Sequence, residues 1–207
     1  MYIAARSRRV NPAHARAAVA MAIEGASRVS EIIGRPVWVW SAVLSGDSGT
    51  LTWSTRYEHL DESIAANDAL GGATEFADWV ADNDGLFAGP MVDTVSEVLY
   101  GAPTGPPAAY VLVVRAVCAN GSMAEAMGLG VEIAETSSRI TGNQTMFVAS
   151  VVGEFAGVGW LSSLPDLAAL ESGNAAFRAS DDFVKLVDRA GHAFQPGITS
   201  SLLRRLN

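Results

Sequence analysis

Two arginines near the start of this sequence offer its most definite chemistry. Arg6 and Arg8 are two residues apart in the run Tyr2 to Val10, so in an extended strand their guanidinium groups leave the same face. A guanidinium donates paired hydrogen bonds to a carboxylate or an enolate, which suits this pair to an organic anion. Salt bridges with the plentiful Asp and Glu are the competing use. Trp38 and Trp40 share a face by the same parity, and their indoles would wall a flat apolar ligand or pack in a core. These four residues are the expected ligand-binding set. For proton transfer the candidates are His59, and Glu24, whose carboxylate becomes a usable base if burial raises its pKa. His192, in the segment RAGHAF, is the expected iron ligand should haem be bound.

Other site chemistries lack their residues. His14, His59 and His192 are the only histidines, and no two have a metal-ligand spacing such as HxxxH. Cys118 is the sole cysteine, so no internal disulfide, Cys-rich zinc site or CxxC pair can form. There is no GxSxG, GxGxxG or P-loop arrangement. No metal and no cofactor are expected, with haem on His192 as the alternative. The net charge of −8 argues against nucleic acid as a partner. No apolar run approaches the roughly 20 residues of a membrane helix. In MYIAARSRRV the basic residues follow the apolar ones, reversing a secretory signal. A reducing cytoplasm is the expected location.

The elements that position these residues are set by an internal duplication. A shift of 107 places Trp53 on Trp160, Leu60 on Leu167, Asn67 on Asn174, Phe76 on Phe183 and Phe87 on Phe194. Upstream the shift is 108, pairing Tyr2 with Tyr110, Glu24 with Glu132, Ile32 with Ile140 and Gly34 with Gly142. The one-residue change falls between Ser45–Thr50 and Gly153–Gly157, read as hairpin tips, where length variation belongs. A unit of about a hundred residues exceeds the roughly 20–50 of solenoid repeats, so each copy is domain-sized. Trp53 and Trp160, equivalent in the two copies, are expected to be core anchors.

In the first copy Tyr2 to Val10 reads as a strand. Asn11 and Pro12 then suit a helix start, and a helical apolar period runs to Ile33 before Gly34. Val37–Leu44 and Leu51–Tyr57 read as a hairpin, Asp61–Leu70 and Thr74–Ala81 as helices, and Met91–Tyr100 as a strand. The second copy repeats that order, so each reads β-α-β-β-α-β, the ferredoxin-like arrangement. The connector Gly101 to Ala109, GAPTGPPAA, divides the chain into expected halves 1–101 and 109–207.

Two such units in tandem, each with a strand-borne Trp and a Leu/Asn/Phe helix pattern after it, resemble a fused dimeric α/β barrel. The segments GTLTWSTRYEHLDESIAANDAL and GVGWLSSLPDLAALESGNAAF are most similar to NIPSNAP-like and antibiotic-biosynthesis-monooxygenase-like domains. The resemblance implies an α+β fold of two facing sheets with helices outside. It also implies a small-molecule site, in relatives that range from cofactor-free monooxygenases and isomerases to haem-binding proteins. Haem-degrading relatives carry an Asn on the first strand and a Trp and His near the second helix. Here Arg6, Ser7 and Arg8 occupy the strand, and Trp79 has no following His. The expected function is binding of a small apolar or aromatic acidic molecule, with cofactor-independent oxygenation or isomerisation as its catalytic form. A non-catalytic interaction protein and a haem protein are the alternatives, and homodimerisation is the expected assembly. Arg6, Arg8, Trp38 and Trp40 become Val114, Ala116, Met146 and Val148 in the second copy, which places the expected pocket in the first.

Overall fold

A computed structural model describes residues 1–207. The first repeat comprises β1 (Tyr2–Val10), α1 (Ala15–Ile33), β2 (Trp38–Leu44), β3 (Thr50–Tyr57), α2 (Leu60–Gly72), α3 (Thr74–Asp82) and β4 (Phe87–Tyr100). The second comprises β5 (Tyr110–Val117), α4 (Met123–Thr141), β6 (Thr145–Val152), β7 (Gly157–Leu164), α5 (Leu167–Ala179), α6 (Asp181–Ala190) and β8 (Thr199–Arg205). The strands are hydrogen-bonded as a closed barrel in the order β1-β3-β2-β8-β5-β7-β6-β4. Within this cycle β4-β1-β3-β2 and β8-β5-β7-β6 are each the ferredoxin-like order, so the fold is the α+β dimeric α/β barrel in one chain. No helix is long and apolar enough to cross a membrane.

Local chemistry accounts for the element ends. The Asn11 side chain accepts from Ala13 N at 3.2 Å, and Pro12 starts a 3₁₀ turn, Pro12–His14, that leads into α1. Gly34 and Gly142, at φ 66° and 70°, close α1 and α4 in the left-handed conformation that favours glycine. Strand β4 starts at Phe87, earlier than the Met91 read from sequence.

Two compact units emerge: Met1–Val95 with Arg204–Asn207, and Ser96–Leu203. The sequence division into 1–101 and 109–207 therefore differs at its edges. The last residues group with the first unit because Leu206 N donates to Val39 O at 2.8 Å. The Asn207 side chain also accepts from Val39 N at 2.8 Å and donates to Val37 O at 2.9 Å. Residues 96–101 group with the second unit, where Gly101 O accepts from Gln144 Nε2 at 2.9 Å.

The core of the first unit packs Ala18, Ala22 and Ala26 of α1 against Val39, Leu51 and Phe87. That of the second packs Ala126, Leu129 and Ala134 of α4 against Phe147, Trp160, Leu186 and Phe194. One substitution distinguishes them most: Val39 of the first unit corresponds to the fully buried Phe147 of the second. Gly130 makes room for that ring, because a Cβ there would lie 2.2 Å from Phe147 Cζ. Its counterpart in the first unit is Ala22, opposite the smaller Val39.

Candidate functional site: a cavity in the first unit

Antiparallel register decides which side chains meet. Arg6 stands opposite Trp53 and Arg8 opposite Leu51 across β1 and β3, while Val39 of β2 stands opposite Trp53. Directly opposed residues share a sheet face. Arg6, Arg8, Val39, Leu51 and Trp53 therefore face the helices, and Trp38 and Trp40, opposite Ser54 and Thr52, lie on the other face. The expectation that Arg6, Arg8, Trp38 and Trp40 line one pocket is corrected here. Parity placed each pair on a common face, but register puts the two pairs on opposite sides. Trp40 is buried and its Nε1 donates to Ser54 Oγ at 2.8 Å, and Arg56 stacks over Trp38 with its Cζ 4.7 Å from the ring centre.

On the helix side of β1, β3 and β4 lies a cavity of about 280 Å³, near the lower end of the roughly 300–1,000 Å³ of small-molecule sites. Its sheet wall includes Ala4, Arg6, Arg8, Trp53, Thr55, Tyr57, Phe87 and Asp93. Its helical walls are Met21, Gly25, Val29 and Ile33 of α1, Ser63, Asn67 and Leu70 of α2, and Phe76, Trp79 and Val80 of α3. Five aromatic side chains, Trp53, Tyr57, Phe76, Trp79 and Phe87, thus surround a mostly apolar space. Phe76 and Trp79 stack at 5.8 Å with planes 27° apart, and Trp53 packs 5.8 Å from Phe87. Gly25 lets Trp79 lie against α1, for a Cβ there would be 3.2 Å from the indole. Trp53 is both anchor and wall: its Nε1 donates to Ala22 O at 3.0 Å, just as Trp160 donates to Gly130 O at 2.8 Å.

The polar groups are few and mostly engaged. Arg6 donates from Nε and Nη2 to Asp93 at 2.6 and 2.8 Å. Those bonds raise the Arg6 pKa and hold the Asp93 carboxyl below the usual carboxylate range. Burial pushes the Tyr57 phenol up, so it stays protonated. Arg8 donates from Nη2 to Asp84 at 2.7 Å, with its Cζ 5.0 Å from the Phe87 ring centre. Its Nε is buried and has no hydrogen-bond partner.

The proton-transfer candidates are not in the cavity. Glu24 is exposed on α1 and accepts from Arg28 at 2.7 Å. His59 is exposed at the start of α2, where its N donates to Glu62 Oε2 at 3.2 Å. Each lies outside because helix phase or a chain turn directs it to solvent. His192 is exposed in the second unit and hydrogen-bonded with Glu125 at 3.0 Å. Haem iron is held by His, Cys, Met or Tyr, most simply by an accessible imidazole facing the pocket. No histidine lines this cavity and Cys118 is buried in the second core, so the residues present do not fit a His-ligated haem.

The equivalent position in the second unit is nearly filled. Leu112, Thr141, Ser162, Leu164, Leu170, Gly173, Asn174 and Phe177 enclose only about 20 Å³. They match Ala4, Ile33, Thr55, Tyr57, Ser63, Ala66, Asn67 and Leu70 of the first. Larger residues close it: Ser63 becomes Leu170, Leu70 becomes Phe177, and Phe177 stacks on Phe183 at 4.4 Å. The ion pairs disappear together, since Arg6 and Asp93 match Val114 and Ser200, and Arg8 and Asp84 match Ala116 and Gly191. Small-to-large changes and paired loss of opposite charges between the repeats were the available signals for Ser63, Leu70, Asp84 and Asp93. Trp79, which matches Leu186, carried no such pattern beyond its aromaticity.

No protein-family model matches the sequence, and no curated protein matches it. Solved structures share the fold over the full chain. A candidate monooxygenase from Fusobacterium nucleatum subsp. nucleatum aligns with 100% of this chain and 92% of its own, at 10% identity and TM-score 0.71. An anthrone oxidase-like protein aligns with 100% of this chain and 91% of its own, at 13% identity and TM-score 0.65. Chlorite dismutase from Candidatus Nitrospira defluvii, in complex with imidazole, aligns with 98% of this chain and 90% of its own, at 12% identity and TM-score 0.55. Their common property with this chain is the dimeric α/β-barrel fold.

Proposed function

We propose that this protein binds a flat, largely apolar small molecule bearing an acidic or phenolic oxygen, in the cavity of its first unit. The observation that carries this reading is the contrast between two equivalent places in a duplicated fold, about 280 Å³ against about 20 Å³. A core position can be closed by ordinary apolar substitutions, as the second unit illustrates. Keeping Trp53, Phe76 and Trp79 around open space in the first forgoes the burial those rings would otherwise contribute. Occupation by an aromatic ligand recovers it.

The catalytic form of this reading is cofactor-independent oxygenation, in keeping with a fold neighbour described as anthrone oxidase-like. An activated methylene next to an aromatic ketone becomes a carbonyl with O₂: one oxygen atom enters the product and the other leaves with both hydrogens as water. The chain's part would be to exclude water with its aromatic walls and to hold the enolate oxygen on an arginine. Asp93 is the one carboxylate in the lining, and its pairing with Arg6 makes it a weak base. The substrate's own acidity must therefore do most of the ionisation, which favours readily enolised ketones and phenols. That same shortage of a free base favours, as second reading, a protein that binds without turnover.

Titrating the protein with 2-naphthoate should quench the fluorescence of Trp53 and Trp79. The variant Ser63→Leu/Leu70→Phe copies the second unit's filling and should lose binding at least tenfold, equivalent to about 1.4 kcal/mol, while its melting temperature holds or rises. Binding at wild-type strength in the filled variant would overturn the assignment. Oxygen uptake with anthrone separates the catalytic form from simple binding.

A further inference from the structure

We propose that Tyr57, through its hydroxyl, donates the hydrogen bond that fixes the ligand's oxygen in the cavity of the first unit. This inference rests on the cavity reading above and adds the residue that orients the ligand. Tyr57 ends β3 opposite Tyr2 of β1, on the same sheet face as Trp53 and Thr55. It lines the cavity and is only 5% exposed. The hydroxyls beside it are satisfied within the chain: Thr55 Oγ1 donates to Pro36 O at 2.9 Å, and Ser63 Oγ donates to Leu60 O at 2.6 Å. The Tyr57 hydroxyl differs. It has no hydrogen-bond partner in the protein, and unlike Arg8 Nε it retains accessible surface. A largely buried phenol without a partner forgoes the bond it makes in water, and an acceptor oxygen on a ligand restores it. Trp53 and Tyr57 are four residues apart on one strand face, about 13 Å, so a ring system beside Trp53 can carry an oxygen to Tyr57.

The ring is held ready for that role. Arg35, just past the end of α1, lies over Tyr57 with its Cζ 5.4 Å from the ring centre. Arg35 donates from Nη2 to Glu62 Oε1 at 2.6 Å, and Glu62 Oε2 accepts from Glu58 N and His59 N at 2.8 and 3.2 Å. The capping of α2 thus fixes Glu62, Glu62 fixes Arg35, and Arg35 covers one face of the phenol. Burial keeps the phenol protonated and therefore a donor, while Arg35 and Arg6 favour negative charge at its oxygen and Glu62 opposes it. An acceptor drawn to the hydroxyl meets the same two cations, which favours a carboxylate, phenolate or enolate oxygen over a neutral one. The second unit has lost the whole set, because Tyr57, Arg35 and Glu62 match Leu164, Asn143 and Ala169. Those three residues border the space of only about 20 Å³, so the donor and the open cavity disappear together. Trp160 persists where Trp53 stands, so what the fold itself needs is retained.

The test measures the affinity of 2-naphthoate relative to naphthalene, the same rings without the oxygens, by tryptophan quenching in wild type, Tyr57→Phe and Tyr57→Leu. Tyr57→Phe removes only the hydroxyl. It should lower naphthoate affinity about tenfold or more while naphthalene stays within about twofold, as expected for one hydrogen bond to a charged acceptor. Tyr57→Leu introduces the second unit's residue; it should lower the naphthoate-to-naphthalene ratio by about the same factor, and it serves if the Phe variant does not fold. An unchanged ratio, whether or not both affinities fall, reduces Tyr57 to a wall and overturns the role of its hydroxyl while leaving the cavity reading intact. Wild type that binds naphthalene but not naphthoate does the same. Failure of both probes to bind wild type overturns the cavity reading and this inference together.

Discussion

Replacing Gly130 by alanine tests how tightly the second unit is closed. Gly130 lies inside α4, and an added Cβ would stand 2.2, 2.4 and 2.7 Å from three atoms of the Phe147 ring. Non-bonded carbons rest at about 3.5 Å or more, so the ring must retreat by roughly 1.3 Å. It has little room, being fully buried with Trp160 at 5.4 Å, and that indole is itself tied to Gly130 O. Overpacking of this kind costs about 1–3 kcal/mol. Alanine also gains about 0.8–1 kcal/mol over glycine in a helix interior. Gly128 supplies the control, because it is exposed on the same helix with nothing within 4 Å of an added Cβ. Gly128→Ala should then stabilise and Gly130→Ala should not, the two differing by about 1–3 kcal/mol. At roughly 2–4 °C per kcal/mol for a chain of this size, the melting temperatures separate by about 2–12 °C. Differential scanning calorimetry of both variants measures it. Adding Phe147→Val to Gly130→Ala recreates the Ala22 and Val39 pair of the first unit, and the double variant should be less destabilised than the sum of the singles by at least about 0.5 kcal/mol. Equal melting of the two alanine variants would refute the idea that Phe147 is wedged against Gly130.

The pairing of Arg6 with Asp93 gives a dependence on pH with a definite sign. The Asp93 carboxyl titrates lower when folded, so its contribution is present above the ordinary carboxylate pKa, about 3.9, and is lost as pH falls through the depressed folded value. Both side chains are partly exposed, which limits the effect to within about 1 kcal/mol. Asp93→Asn should flatten the acid limb of urea midpoints recorded from pH 5 to pH 2, and an unchanged limb would count against the pairing. Helix α3 should exchange its amide hydrogens faster than α6, because none of its residues is buried whereas Leu186 and Ala190 of α6 are. Peptides covering 74–82 and 181–190 provide the comparison; 2-naphthoate should slow the first and leave the second unchanged. Equal protection of the two helices in the free protein would show that α3 is held by contacts other than the cavity walls.

Much of the fold was legible in the residue pattern, for identifiable reasons. Local periodicity and capping depend on neighbours in the chain, so Asn11 with Pro12, Gly34, Gly142 and the apolar period of α1 locate their elements without tertiary information. The duplication added a second reading of every element and exposed the loss of Arg6 and Arg8 from the later copy. The site was only half legible. Strand parity relates residues within one strand, so Arg6 goes with Arg8 and Trp38 with Trp40. Which pair faces the helices depends on register between strands, and the contacts of Val39 and Arg6 with the same opposing residue, Trp53, set it. Tertiary structure alone decided that Trp53 is both core anchor and cavity wall, since its N–H is satisfied on α1 while its ring borders open space. It also decided the separate fates of Arg6 and Arg8, identical in type and face. Asp93 and Asp84 come from distant parts of the chain, and their different reach pairs Arg6 through two of its N–H groups and Arg8 through one.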